Sequence, residues 1–234
     1  IDRVSRNQIL VLTPEGGNAA VPENDEIQIR IRVQGPEIKK SPYLLAERSG
    51  EQAQKAMFTP DNNPDMQDEY ITTIAVESQD VTYRVHAGDA VSRRYTLISR
   101  ERPQVVQYGK TYTFPGYTGR THLTVKEGHG NISALSGTNV KLTLHLNQPV
   151  KMAMMDMVTE TATNKLNFVE ASGPKQWVLD LPLLDNGAYK IYLMTAEKLG
   201  NKSPVEYSIE AKPDLVPTVE LIQPGVDVTA RPEN

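Results

Sequence analysis

The sequence predicts an all-β chain built as tandem β-sandwiches. Two observations carry that expectation: apolar residues recur with a period of two, and the chain repeats itself at a spacing of just over a hundred residues. The period is clearest in EIQIRIRV (26–33), where Ile27, Ile29, Ile31 and Val33 share one face and Glu26, Gln28, Arg30 and Arg32 the other. Successive side chains of a strand point to opposite faces, so this segment has one side for a core and one for water. VKLTLHL (140–146) has the same form, with Val140, Leu142, Leu144 and Leu146 inward. Further strands are expected at QILVL, YLLAE, YITTIAV, VTYRVHA, RYTLIS, QWVLDL, AYKIYLM and VEYSIE, each bounded by Gly, Pro, Asn or Asp. No apolar stripe of helical period lasts three turns; SGEQAQKAMF (49–58), short and led by glycine, is the nearest to one.

The repeat appears on alignment. Ile27 pairs with Val140 and Pro36 with Pro149, both at an offset of 113. Tyr83 pairs with Tyr189, Ser92 with Ser203, Tyr95 with Tyr207 and Pro103 with Pro213, at offsets of 106, 111, 112 and 110, so the copies differ only in loop length. Two such units with about seven short strands each read as β-sandwiches of immunoglobulin or fibronectin type III kind. The expected division is 1–102 for the first sandwich and 103–213 for the second, which carries an extra segment at 106–135. Residues 214–234 then read as the first strand of a truncated third repeat, because ILVLTP (9–14) matches VELIQP (219–224) and a later PEN is shared, all at an offset of 210. From first strand to second, unit one needs about 15 residues (Ile9 to Asp25) and unit two over 30 (Val105 to Thr138). The surplus, YTFPGYTGRTHLTVKEGHGNISAL, is expected to add a strand, with GHGN as a turn.

Composition narrows the function classes. Across 234 residues, 38% hydrophobic and 23% charged content describes a folding, globular chain and excludes disordered and collagen-like classes. No run is apolar enough to span a bilayer, and IDRVSRNQIL shows neither an initiating Met nor a signal stretch, so the chain is expected to be part of a longer protein. A net charge of -4 gives no electrostatic reason for nucleic acid or anionic lipid. The absence of Cys removes disulfides, thiolate zinc sites and cysteine nucleophiles.

Candidate chemistry is sparse. His86, His122, His129 and His145 are scattered without a metal-binding spacing; His122 and His129, with Glu127 between them, become a ligand pair only if a hairpin brings them together. No nucleophile elbow or phosphate loop is present, so no enzyme activity and no cofactor are expected. TPDNNPDMQDEY (59–70) offers Asp61, Asn63 and Asp65 as a loose calcium candidate, although the glycine and glutamate positions of an EF-hand hold Met66 and Thr72. Met152 and Met154 fall on one face of VKMAMMDM and Met155 and Met157 on the other, which favours packing over a Cu(I) site. Tyr112, Phe114 and Tyr117 concentrate aromatics in the surplus segment and are the candidate ligand-binding residues, a sugar platform if exposed and a seal for the added strand if buried. Trp177 suits an inter-sheet core plug.

The phrases YRVHAGD, YTFPGYTG, ISALSGTNVKLTLHLNQPV, LDNGAYKIY and PDLVPTVELIQP together resemble the tandem immunoglobulin-like region of large bacterial membrane-anchored envelope proteins. The likeness spans most of the chain; Phe114 stands where that pattern commonly has Tyr, and Gly116 where it has Ala. The resemblance implies a periplasmic or cell-surface location and no catalytic residues. The expected function is a structural and interaction array whose partners are other envelope proteins. The alternative is a glycan-binding module using the aromatic segment, and the last strand (218–223) suggests capture by strand addition.

Overall fold

The computed structural model describes residues 5–61 and 68–214. Unit one contains β1 (Gln8–Thr13), β2 (Ala19–Pro22), β3 (Asp25–Gln34), β4 (Tyr43–Glu47), β5 (Gln54–Met57), β6 (Thr59–Pro60), β7 (Glu69–Val76), β8 (Val81–Ala87), β9 (Ala90–Val91) and β10 (Tyr95–Arg100). One sheet has the order β1-β3-β7-β6 and the other β2-β10-β8-β4-β5, with β9 paired to β8. Only β2 with β10 is parallel; β1 with β3 and β3 with β7 are antiparallel, as is β4 with β8. A first strand split between both sheets, its second half parallel to the last strand, gives the immunoglobulin-like order.

Unit two repeats the arrangement with β11 (Val105–Thr113), β12 (Leu123–Glu127), β13 (Ile132–Leu135), β14 (Thr138–Leu146), β15 (Met152–Thr159), β16 (Thr163–Asn167), β17 (Val169–Glu170), β18 (Gln176–Leu183), β19 (Gly187–Met194) and β20 (Glu206–Lys212). Its sheets run β12-β11-β14-β18-β17 and β13-β20-β19-β15-β16, again with one parallel pair, β13 on β20. The chain is therefore all-β, a tandem of immunoglobulin-like sandwiches with an added strand, β12, in the second.

Each sandwich closes over its own apolar cluster. Ile29, Ile31, Leu44, Val85 and Leu97 are wholly buried in the first, and Val140, Leu142, Leu144 and Met155 in the second. The inward phase of β3 matches the sequence reading, with Ile29, Ile31 and Val33 buried and Arg30 and Arg32 turned to the other face. Fully burying each such side chain contributes about 1.5–3 kcal/mol. The segment nearest to a helix forms β5 instead, because Gln54–Met57 pair with Ala46–Tyr43. The proposed third repeat lies outside the described residues except for Asp214.

One packing device occurs twice. Tyr83 and Tyr95 face each other across β8 and β10, as Tyr189 and Tyr207 do across β19 and β20. Their ring centroids are 5.3 Å and 5.5 Å apart. Tyr83 Oη donates to the Gly17 carbonyl at 2.7 Å, and Tyr189 Oη to the Gly130 carbonyl at 2.5 Å. The next residue of each unit, Asn18 or Asn131, accepts the backbone N–H of Thr96 or Ser208 through Oδ1. A Cβ on Gly17 would lie 2.1 Å from Tyr95 Cδ1, and one on Gly130 would lie 2.6 Å from Tyr189 Oη. The second glycine of GHGN, Gly130, is thus required by close approach to the tyrosine pair, beyond any role in turning the chain.

The pairing also locates the surplus. Thr13 leaves β3 opposite Arg30, and the corresponding residue Gly109 lies opposite Thr143. Unit one then reaches Gly17 through Pro14, Glu15 and Gly16, whereas unit two inserts 110–129: β11 continues down β14, turns, and returns as β12 on its outer edge.

Candidate functional site

Three places combine exposed or charged side chains with a defined geometry. The first is the joint between the units. Asp25 opens β3 at the trailing end of unit one, and its carboxylate accepts the Arg102 guanidinium and, at 2.9 Å, Lys202 Nζ from the loop after β19. Arg102 also donates to the Gly200 carbonyl at 2.7 Å. Asn147 and Gln148, after β14, bond Glu101 and the Arg102 carbonyl at 2.6–3.2 Å. Lys202 and Arg102 hold the Asp25 carboxyl below its ordinary value.

The second place is the inserted hairpin. Lys110 is 0% exposed, and its Nζ donates to Glu127 Oε2 and to the Asn131 carbonyl, both at 2.5 Å. A buried ammonium requires such partners. It ties the outgoing strand to the returning one and to the residue after Gly130. The Lys110 ammonium in turn holds the Glu127 carboxyl below its usual range.

The three aromatic candidates do not form one surface. Tyr112, on the inward phase of β11, is 6% exposed and belongs to the core; Phe114 is partly buried against that core; Tyr117 is 68% exposed in a 3₁₀ turn. Tyr112 and Phe114 stack at 6.4 Å with Arg120 over Phe114, while the Asp214 carboxylate raises the Tyr117 hydroxyl pKa. A cleft of about 490 Å³ beside them is lined by Tyr112, Phe114, Arg120, Leu123 and Glu127 but not by Tyr117.

The remaining candidates separate. Asn63 and Asp65 of the calcium loop lie outside the described residues, and Asp61 pairs with Arg30 at 2.9 Å. Glu69, eight residues on, is occupied by Arg30 and Arg32 at 3.2 and 2.6 Å. Among the described residues no group of three or more acidic or histidine side chains is arranged to hold a metal ion. His122 and His129 sit at opposite ends of β12, separated by a strand's length instead of converging. Met155 and Met157 are buried while Met152 and Met154 face outward, and Trp177 fills the core with Nε1 donating to the Pro174 carbonyl at 3.1 Å.

The third place is the outer face of β5, β4, β8 and β9. Met57, Tyr43, His86 and Val91 form one row across four strands. Tyr43 and His86 stack at 4.8 Å and 3°, and Lys55 Nζ lies 3.9 Å from the Tyr43 ring centre. Met57 and Val91 are 49% and 54% exposed. In the next row Leu45 separates Lys55 from Arg84. A cleft of about 640 Å³ beside this ridge is also lined by Lys39 and Lys40. Burial, with Arg84 and Lys55 nearby, lowers the His86 pKa and favours the neutral ring.

No family model matches the chain, and no curated protein does. Among solved structures it is similar to a chimeric titin Z1Z2 tandem (12% identity over 88% of this chain and 100% of that one, TM-score 0.30). It is likewise similar to the Escherichia coli adhesin FdeC (13%, 90% and 66%, TM-score 0.38) and to titin domains A168–A170 (14%, 89% and 66%, TM-score 0.40). At these scores the fold assignment rests on the strand order, not on the likenesses. No helix among the described residues is long and apolar enough to cross a membrane.

The short, proline-containing connector RERPQ (100–104) is legible in the sequence as a joint with little slack, but sequence reasoning singles out neither the side chains that bond it nor the outer face of unit one. The joint joins residues far apart in the chain, which no local pattern shows. The outer face had a visible signal: Tyr43, Leu45 and His86 occupy the phase of their strands that in a half-exposed sheet is ordinarily polar.

Proposed function

We propose that this chain is a non-enzymatic structural and interaction array in the extracytoplasmic part of a bacterial membrane-anchored envelope protein, holding immunoglobulin-like units in fixed succession and presenting their surfaces to protein partners. The observation that carries this reading is the joint. Asp25, from one unit, is clamped by Arg102 of the connector and Lys202 of the next unit, while the connector is bonded to the second unit on its other side. Short, bonded connectors orient successive units instead of letting them tumble. The envelope location rests on the resemblance of the sequence phrases to those of such proteins. Small-angle scattering of the chain tests the reading: an elongated profile is expected, and a compact globule would sink it.

A second reading, a glycan module at the hairpin, is favoured by the cleft over Tyr112 and Phe114 with Arg120 at its rim. A glycan array on wild type and on the separate Tyr112→Ala, Phe114→Ala and Tyr117→Ala variants tests it. Binding lost in a variant that stays folded supports this reading; no binding removes it.

A further inference from the structure

We propose that the outer face of β4, β5 and β8 in unit one docks a protein segment that is apolar along its middle and acidic at its flanks. The inference deepens the array reading and rests on it. Its first support is composition at close quarters. In a chain of net charge -4, Lys39, Lys40, Lys55 and Arg84 gather around an exposed apolar ridge, and none forms an ion pair among the described residues. The acids nearby are Glu37, which is exposed and forms no ion pair among the described residues, Asp89 and Glu47. Asp89 is saturated by Ser5 Oγ and the backbone N–H groups of Arg6 and Asn7, at 2.9–3.1 Å, and Glu47 is paired with Arg94 at 3.2 Å.

The second support is an internal control. In unit two the strand pairing puts Asp156 where unit one has Leu45, Lys190 where it has Arg84, and Lys165 where it has Lys55. There an acid stands between the two cations in the strand register, and Lys190 pairs with Glu206 at 3.1 Å instead of with Asp156. The same row of the same fold therefore has a carboxylate at its centre in one repeat and an apolar residue flanked by two cations in the other. The ligand class follows from the ridge. Tyr43 and His86 stack face to face and Lys55 covers the outer Tyr43 ring, so no broad ring face is left for a sugar. Met57, Leu45 and Val91 offer apolar contact that a polar glycan cannot use. An apolar centre within a charged rim is the anatomy of a protein interface.

The experiment is an amide NMR titration of the whole chain with three probes: a short synthetic peptide with central leucines and glutamate flanks, the same peptide with lysine flanks, and a polyuronate oligosaccharide. The acidic peptide is expected to shift Tyr43, Leu45, Lys55, Arg84 and His86, and the lysine peptide is not. Leu45→Asp, which copies unit two, should weaken the acidic peptide at least about tenfold while leaving the thermal midpoint in place. Lys55→Glu should do the same if Leu45→Asp disturbs the fold. Unchanged binding in both variants overturns the proposal. So does preference for the polyuronate with no effect of Met57→Ser, which would make the face a polyanion site. Peptide shifts confined to another face, or no shift with any probe, sink this assignment and leave the array reading, which the scattering profile tests, standing.

Discussion

Glycine and lysine at two positions of unit two decide more than their neighbours. Gly130 has no room for a Cβ beneath Tyr189 and Tyr207, so Gly130→Ala must push a packed aromatic pair aside. Such overpacking costs about 1–3 kcal/mol, and the loss should appear as a lower denaturant midpoint at an unchanged slope. Tyr189→Phe removes only the hydrogen bond to Gly130 and should cost about 1 kcal/mol by the same measurement. Lys110 poses a different problem, because its charge is wholly buried and Glu127 is its one ionic partner among the described residues. Glu127→Gln leaves an ammonium in the core with only neutral acceptors, which should cost roughly 2–4 kcal/mol. Lys110→Met removes the charge itself and should cost less. The reverse order in urea denaturation would show that Lys110 is solvated in a way the fold does not suggest.

At the level of elements, the strands whose apolar and polar residues alternate are legible in the sequence because that alternation has one physical meaning, whereas β16, five residues with almost no buried face, is not. β3, β8, β14 and β19 fall where their apolar phases put them. β6, β9 and β17 are not legible, since two residues show no period and exist as strands only through their neighbours' hydrogen bonds. The hairpin is legible as surplus length but not as a course. That course follows from Lys110 on the same inward phase as Tyr108 and Tyr112, a charge among core residues that demands a returning acid. Of the aromatic candidates, the same phase explains why Tyr112 is core while Tyr117, in a turn, is open. Because β12 pairs only with β11 at a sheet edge, unit two does not need it to close. Replacing residues 110–129 by the Pro-Glu-Gly connection of unit one should preserve the far-ultraviolet β spectrum and a single cooperative transition. The midpoint should fall by the burial of Tyr112 and Phe114, on the order of 3–5 kcal/mol.

For the whole molecule, the joint concentrates orientation in one carboxylate. Asp25 lies among Lys202 and Arg102, which lower its pKa from 3.8 in the assembled joint. A group whose pKa is lowered on assembly contributes fully above its free value, and the contribution disappears as pH falls through the lowered value. Coupling between the units should therefore be intact at neutral pH and lost well below pH 4, with the sandwiches released to reorient. The contacts are partly exposed, so added salt should weaken them too, and each is worth no more than about 1 kcal/mol to folding. Glu69, Asp89 and Glu127 are also held low by their partners, so acid weakens the sandwiches in the same direction. Asp25→Asn separates the two effects, because at neutral pH it removes the carboxylate from the joint and leaves the other three untouched. Nitrogen-15 relaxation should then give the two units different rotational correlation times in the variant at pH 7, with both thermal midpoints near wild type. A common correlation time in Asp25→Asn would mean that Arg102 to Gly200 and the Glu101 contacts hold the units without Asp25.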